Sequence, residues 1–171
     1  MTNLSNLRIL FITGEYPPMQ GGVADYTREL GRALVGLGHE VGVVTSVDAT
    51  KGWVEPGIEV FPRIERWGWQ VWSELDKVVG DWRPDVVHIQ YQTAAYGMHP
   101  AINLWPRRSH HSQALTAVTF HDLLVPYLFP KAHWLGLRRR VTNMLARTVD
   151  LAITTNPEDT LALRPVRPDL V

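Results

Sequence analysis

Apolar positions along the chain fall into short runs separated by stretches of helical period. Leu7–Thr13 (LRILFIT) is apolar on both faces, as in a buried strand. From Gly22 to Leu37 the period changes. Val23, Tyr26, Leu30, Ala33, Leu34 and Leu37 recur at helical spacing, and Gly38 suits the C-terminal cap. Further strands are expected at Glu40–Ser46, Ile58–Phe61, Asp85–Gln90, Leu115–Phe120 and Leu151–Thr154. Further helices are expected at Trp69–Val79, ending at Gly80, at Ala101–Arg107 and at Trp134–Thr148. Asn156-Pro157-Glu158-Asp159 carries the cap, proline and early acids of one more helix start. Strands alternating with helices predict a doubly wound α/β domain, a mostly parallel sheet with helices on both faces. No repeat or second core is evident, and the ending RPVRPDLV reads as an edge or a cut.

Composition narrows the class. The 171 residues are 45% hydrophobic and 20% charged, ordinary for a globular domain. With no cysteine, disulfides and thiolate metal sites are excluded, which fits a reducing, cytoplasmic setting. The amino-terminal apolar stretch is broken by Gly14 and Glu15, unlike a signal peptide, and no segment approaches a membrane span. Zero net charge argues against a general nucleic-acid binder. The charge is uneven, however. Residues 1–100 carry 8 basic and 12 acidic side chains, whereas residues 101–150 carry 7 basic and 2 acidic, which points to an anionic partner for the later part.

The segment between the first strand and first helix, EYPPMQGG, spends two prolines and then two glycines. Pro17 and Pro18 set the path, and Gly21 and Gly22 leave room for a phosphate or a sugar at a helix N-terminus. A tight connection with no ligand is the alternative. Neither G-x-G-x-x-G after the first strand nor G-x-x-x-x-G-K-[ST] occurs, so a dehydrogenase or P-loop nucleotidase is disfavoured.

Four stretches in order, GEYPPMQGGVADYTREL, LGHEVGVVTS, RPDVVHIQ and TFHD, resemble the amino-terminal half of a retaining glycosyltransferase of the GT-B family 4 group. The resemblance implies a Rossmann-like acceptor-side domain spanning 1–171, with the carboxyl-terminal donor-binding domain absent from this chain. It implies a nucleotide-sugar donor as substrate, a hydroxyl acceptor that is a saccharide or lipid-linked, no metal and no cofactor. Attack beside the departing diphosphate, without a protein nucleophile, is the mechanism it implies. Carried over by position, Gly21 and Gly22 match the glycine loop near the donor phosphates and acceptor. His121 matches a histidine that follows the fifth strand and contacts the transferred sugar. Glu15 and Gln20 share the glycine loop, and His88 and Gln90 end the fourth strand on the same rim. A non-catalytic sugar- or anion-binding module of the same fold and half of a nucleotide-sugar epimerase are the other readings.

Several residues carry a plainer reading beside the functional one. His121 is either a sugar contact or a loop residue bonded to backbone, with Asp122 placed to orient its ring. His88 is either a packed strand histidine or a ligand contact. Asp25 and Glu29 share a helix face with Arg28 and Arg32, which favours an exposed ion-pair face over an acid/base pair. Arg138, Arg139 and Arg140 fan outward from a stripe of Leu137, Val141, Met144 and Leu145. They form either a solvated face or a docking surface for an anionic membrane, peripheral to its inner face, with Trp134 and residues 123–130 beside them. His110-His111 reads as solvated surface. Trp67, Trp69 and Trp72 read as crevice packing.

Overall fold

The computed structural model describes residues 6–50, 54–108, 113–123 and 136–171. Six strands, β1 (Arg8–Thr13), β2 (Glu40–Ser46), β3 (Ile58–Ile64), β4 (Val86–Gln92), β5 (Leu115–Asp122) and β6 (Leu151–Thr154), form one sheet in the order β3-β2-β1-β4-β5-β6. All five neighbouring pairs are parallel. The helices are α1 (Gly22–Gly36), α2 (Val71–Trp82), α3 (Ala101–Arg108), α4 (Leu137–Thr148) and α5 (Pro157–Leu163). The chain runs outward from β1 to β3, then returns through α2 to β4 on the other side of β1. Strand order therefore reverses between β1 and β4, and in open α/β sheets a ligand crevice opens there, beyond the carboxyl ends of the strands.

Alternation along the strands divides the core. Leu10, Ile12, Val87, Ile89, Val118 and Phe120 pack with Leu75 and Val79 of α2, Ile102 and Trp105 of α3 and Leu145 of α4. Ile9, Phe11, Val41 and Val43 face the other way, against Leu30 and Leu34 of α1. The doubly wound architecture is the one the apolar pattern predicts.

The departures have local causes. α2 does not stop at Gly80 but runs to Trp82, whose indole donates to Glu59 at 2.9 Å while the Arg8 guanidinium lies 4.6 Å over its ring. Those contacts offset the roughly 1 kcal/mol a helical glycine costs. The stop is Arg83, left-handed at φ 50°, with Pro84 after it. β3 continues through Pro62 to Ile64, which an edge strand permits because its outer N–H groups need no partner. β5 extends two residues past Phe120, so His121 and Asp122 end the strand instead of following it. Leu137 is 55% exposed, and the buried side of α4 is Thr142, Leu145 and Ala146. The tail folds back on β6: Val171 donates its N–H to Ala152 and accepts from Thr154, which covers that sheet edge.

Candidate functional site at the strand-order reversal

Across the reversal point Thr13 lies beside Gln90, and Gln90 beside Thr119, on three adjacent strands. Because side chains alternate, His88 and Gln90 of β4 share a face with Thr119 of β5, and His121, at a register shift in β5, joins them through its contact with Gln90. It is the α1 face, where the Phe11 ring sits 5.3 Å from the His88 ring. The strands are otherwise apolar there, so four polar side chains in one patch must satisfy one another or a ligand. His88 Nε2 lies 2.8 Å from Thr119 Oγ1. His121 Nε2 lies 2.8 Å from Gln90 Oε1. Tyr26, one turn into α1, sets its ring edge-on to His121 at 4.8 Å and 74°.

Electrostatically the patch is neutral at its centre. Burial lowers the His121 pKa to about 4. Burial, with His121 nearby, lowers His88 to about 4 as well. Both rings therefore stay uncharged near pH 7. The His121 carbonyl meets the Thr155 hydroxyl at 3.4 Å.

The loop from β1 to α1 is held from several sides. The Thr13 hydroxyl donates to the Glu15 carbonyl at 2.8 Å, and Ser46 donates to the Gly14 carbonyl at 3.0 Å. The Tyr96 hydroxyl sits 2.9 Å from the carbonyl oxygens of both Ile12 and Gln90, tying β1 to β4. Tyr16 and Pro17 are buried, the Met19 N–H closes a turn onto the Tyr16 carbonyl at 3.0 Å, and Gln20 is exposed. The two glycines differ. Space above Gly21 is already taken by the Glu15 carboxylate, whose pKa burial raises, whereas a Cβ on Gly22 would meet nothing within 4 Å. Open space thus lies at Gly22; at Gly21 the expected room is filled by the protein's own side chain.

Other expected residues separate from this patch. Asp122 lies beyond a register shift in β5, opposite Gln92, where it adds to the burial that raises the Asp159 pKa, and the His121 ring takes Gln90 as its partner instead. The arginines of α4 do not fan out together. Arg138 is half-buried and reaches back to the Leu123 carbonyl at 3.5 Å, while Arg139, Arg140 and Arg147 are exposed. On α1, Arg28 meets Asp25 at 3.5 Å and Glu29 at 3.1 Å, the expected ion-pair face. Arg32 also holds Glu55, whose side chain is buried, at 2.8 Å. Trp67 and Trp72 pack as expected, donating to Ser46 and to the Ala101 carbonyl, while Trp69 is 51% exposed against Trp72 and His99. His110-His111, Trp134 and residues 124–130 lie outside the described residues.

Two contributors escape the sequence reading. Tyr26 sits at a core-stripe spacing yet is 39% exposed against His121. Thr119 partners His88. The signal for Thr119 is the period-two polarity of VHIQ and TFH, visible only once the two strands are placed side by side. Among the described residues no cluster of acids and histidines is arranged to hold a metal, and no helix is long and apolar enough to cross a membrane.

Comparison with known proteins bears on this arrangement. A glycosyltransferase from Rickettsia africae superposes with a TM-score of 0.61 at 13% identity, over 98% of this chain and 42% of its own. A putative UDP-N-acetylglucosamine 2-epimerase from Listeria monocytogenes gives 0.60 at 15% identity, over 94% of this chain and 42% of its own. An alpha-glucosyltransferase in complex with UDP and DNA gives 0.52 at 18% identity, over 89% and 38%. At these identities the likeness is one of fold, and the chain spans about two fifths of each of these structures. No curated protein sequence matches it at a significant level. The profile described as glycosyl transferase 4-like domain matches residues 21–168, from the second half of the glycine loop through β6 and α5, and the chain belongs to that family.

Proposed function

We propose that this chain supplies the acceptor side of a retaining glycosyltransferase, which moves a sugar from a nucleoside diphosphate to a hydroxyl acceptor. The observation that carries the reading is the neutral polar patch of His88, Gln90, Thr119 and His121 at the strand-order reversal, in a chain of this family. Catalysis by such a patch is positioning and hydrogen bonding. It offers no cation and no carboxylate pair across a cleft, which suits front-face attack with the departing diphosphate taking the acceptor's proton. In this reading Gly22 lets the ligand approach the backbone, His121 and Gln90 contact the transferred sugar, and Glu15 and Gln20 border the acceptor. The nucleotide is held by a second domain, so the 171 residues alone bind nucleotide sugar poorly and turn over none.

The test joins this chain to a donor-binding domain in one protein and follows release of nucleoside diphosphate with each common sugar nucleotide. His121→Ala is expected to lower kcat/KM by more than about tenfold. The anomeric configuration of the product reports retention. Turnover near wild type in that variant removes His121 from the mechanism. The epimerase fold likeness supports a second reading, and the same assay separates it, because an epimerase yields a rearranged sugar with no glycoside formed.

A further inference from the structure

The contact between Gln90 and His121 fixes more than position. Gln90 is 0% exposed, and its amide oxygen lies 2.8 Å from His121 Nε2. An amide oxygen only accepts, so the ring nitrogen facing it carries the proton. With burial keeping the ring to a single proton near pH 7, Nδ1 is left with a bare lone pair. The Tyr26 edge contact holds the plane of the ring. No hydrogen bond is made to Nδ1 among the described residues. The opposite amide orientation would place NH2 against Nε2 and move the ring proton to Nδ1. Because the buried Gln90 amide nitrogen has no partner among the described residues, this orientation is the point on which the polarity of the site turns.

We propose that Gln90 is a positioning residue that holds His121 as its Nε2–H tautomer, so that Nδ1 accepts a hydrogen bond from a hydroxyl of the ligand and turns away phosphate oxygens. The sugar half of this statement rests on the glycosyltransferase reading; the tautomer does not. Glu15 works in the same direction, since its carboxylate fills the space over Gly21 where a phosphate would otherwise approach the start of α1. Of the titratable groups beside the patch, Glu15 can carry negative charge and His88 is neutral. The site on this domain therefore selects an O–H donor. A substrate analogue with the contacted hydroxyl replaced by hydrogen or fluorine leaves Nδ1 unpaired and should lose about 10–100-fold in kcat/KM.

The tautomer is read directly, without substrate, by long-range 1H–15N correlation of the histidine rings in the 171-residue chain, with His121→Asn supplying the assignment. The expected result at pH 7 is a protonated Nε2 and an unprotonated Nδ1. Gln90→Glu keeps an acceptor at Nε2 and adds a negative charge, so the His121 pKa should rise by about 1–3. Gln90→Leu removes the acceptor and should leave the two tautomers mixed. Adding inorganic phosphate to the wild-type chain should leave the His121 pattern unchanged. An Nδ1–H ring in the wild type, an unaltered tautomer in Gln90→Leu, or protonation of Nδ1 on adding phosphate overturns the proposal. If Gln90→Leu fails to fold, the wild-type spectrum and Gln90→Glu still decide it. Absence of transferase activity alongside the expected tautomer would instead remove the glycosyltransferase reading and leave the positioning role standing.

Discussion

Gly14 and Gly22 bracket the loop that opens the site, and alanine at the two positions should act in opposite directions. At Gly22 the new Cβ meets nothing within 4 Å, and the residue is the first of α1 with no positive φ. Glycine to alanine at a compatible helical position reduces the freedom of the unfolded chain and stabilises by about 0.4–1 kcal/mol. At Gly14 the new Cβ runs into backbone. It would lie 2.5 Å from the Ala95 carbonyl carbon and 2.8 Å from the Ala95 Cβ, against ordinary contact near 3.4–4 Å. The Gly14 carbonyl is also bonded to Ser46 at 3.0 Å, so β1 cannot back away without loosening β2. Overpacking of this kind costs about 1–3 kcal/mol, and the rigid backbone neighbour puts Gly14→Ala at the upper end.

For a chain of this length each kcal/mol moves Tm by about 2–4 °C. Gly22→Ala should therefore raise Tm by about 1–4 °C and Gly14→Ala lower it by about 6–12 °C, read by thermal and urea unfolding. Function separates the pair further. If a ligand approaches the backbone at Gly22, Gly22→Ala in the chain joined to a donor-binding domain should lose activity while gaining stability, a combination that a folding defect cannot produce. A Gly22→Ala variant that unfolds below the wild type would refute the claim that the space there is empty of protein. A stabilised variant with full activity would show that no ligand needs it.

Two further effects follow from the same contacts. Both His88 and His121 have folded-state pKa values near 4, below the ordinary 6.5, so as pH falls below 6.5 the unfolded chain takes up protons before the fold does. The stability they contribute is complete above about 6.5 and is lost towards 4, at up to about 1.4 kcal/mol per pH unit for each ring. His121→Asn should remove about half of that slope in urea titrations across the window, and a slope unchanged by the substitution would contradict the assignment. At α5, the Asn156 side chain accepts from the Asp159 N–H at 2.8 Å, and its amide donates to Asp159, which also receives the Leu123 N–H. Asn156→Ala should cost about 0.5–2 kcal/mol by urea unfolding, and a loss well below that range would mean the cap is satisfied elsewhere.

Most of the scaffold was legible because its signals are local. LRILFIT and EVGVVTS read as strands without any partner in view, and Asn156-Pro157 announced α5 by cap chemistry alone. What the sequence reading placed wrongly was decided by contacts between distant residues. Gly80 marks a helix end until Trp82 is seen pinned between Glu59 and Arg8. Leu137 belongs to an apolar stripe by spacing, yet α4 meets the sheet one turn later. Asp122 follows His121 in sequence and so suggested itself as its partner, but the register of β4 against β5 brings Gln90, 31 residues away, to the ring instead.

That last error shows where the chemistry of this domain resides. A strand interior favours apolar residues on both faces under a doubly wound sheet, so every polar side chain set there costs desolvation unless it is bonded. Here His88 and Gln90 occupy alternate positions on β4, and the register sets Gln90 beside Thr119. Satisfying them in pairs, His88 with Thr119 and His121 with Gln90, keeps the cost tolerable and makes the rings rigid. One buried atom, the Gln90 amide nitrogen, is left over. A scaffold under selection for stability alone would place valine at these four positions, and the geometry is accounted for if a ligand at the reversal point uses His121 Nδ1, to which none of the described residues bonds.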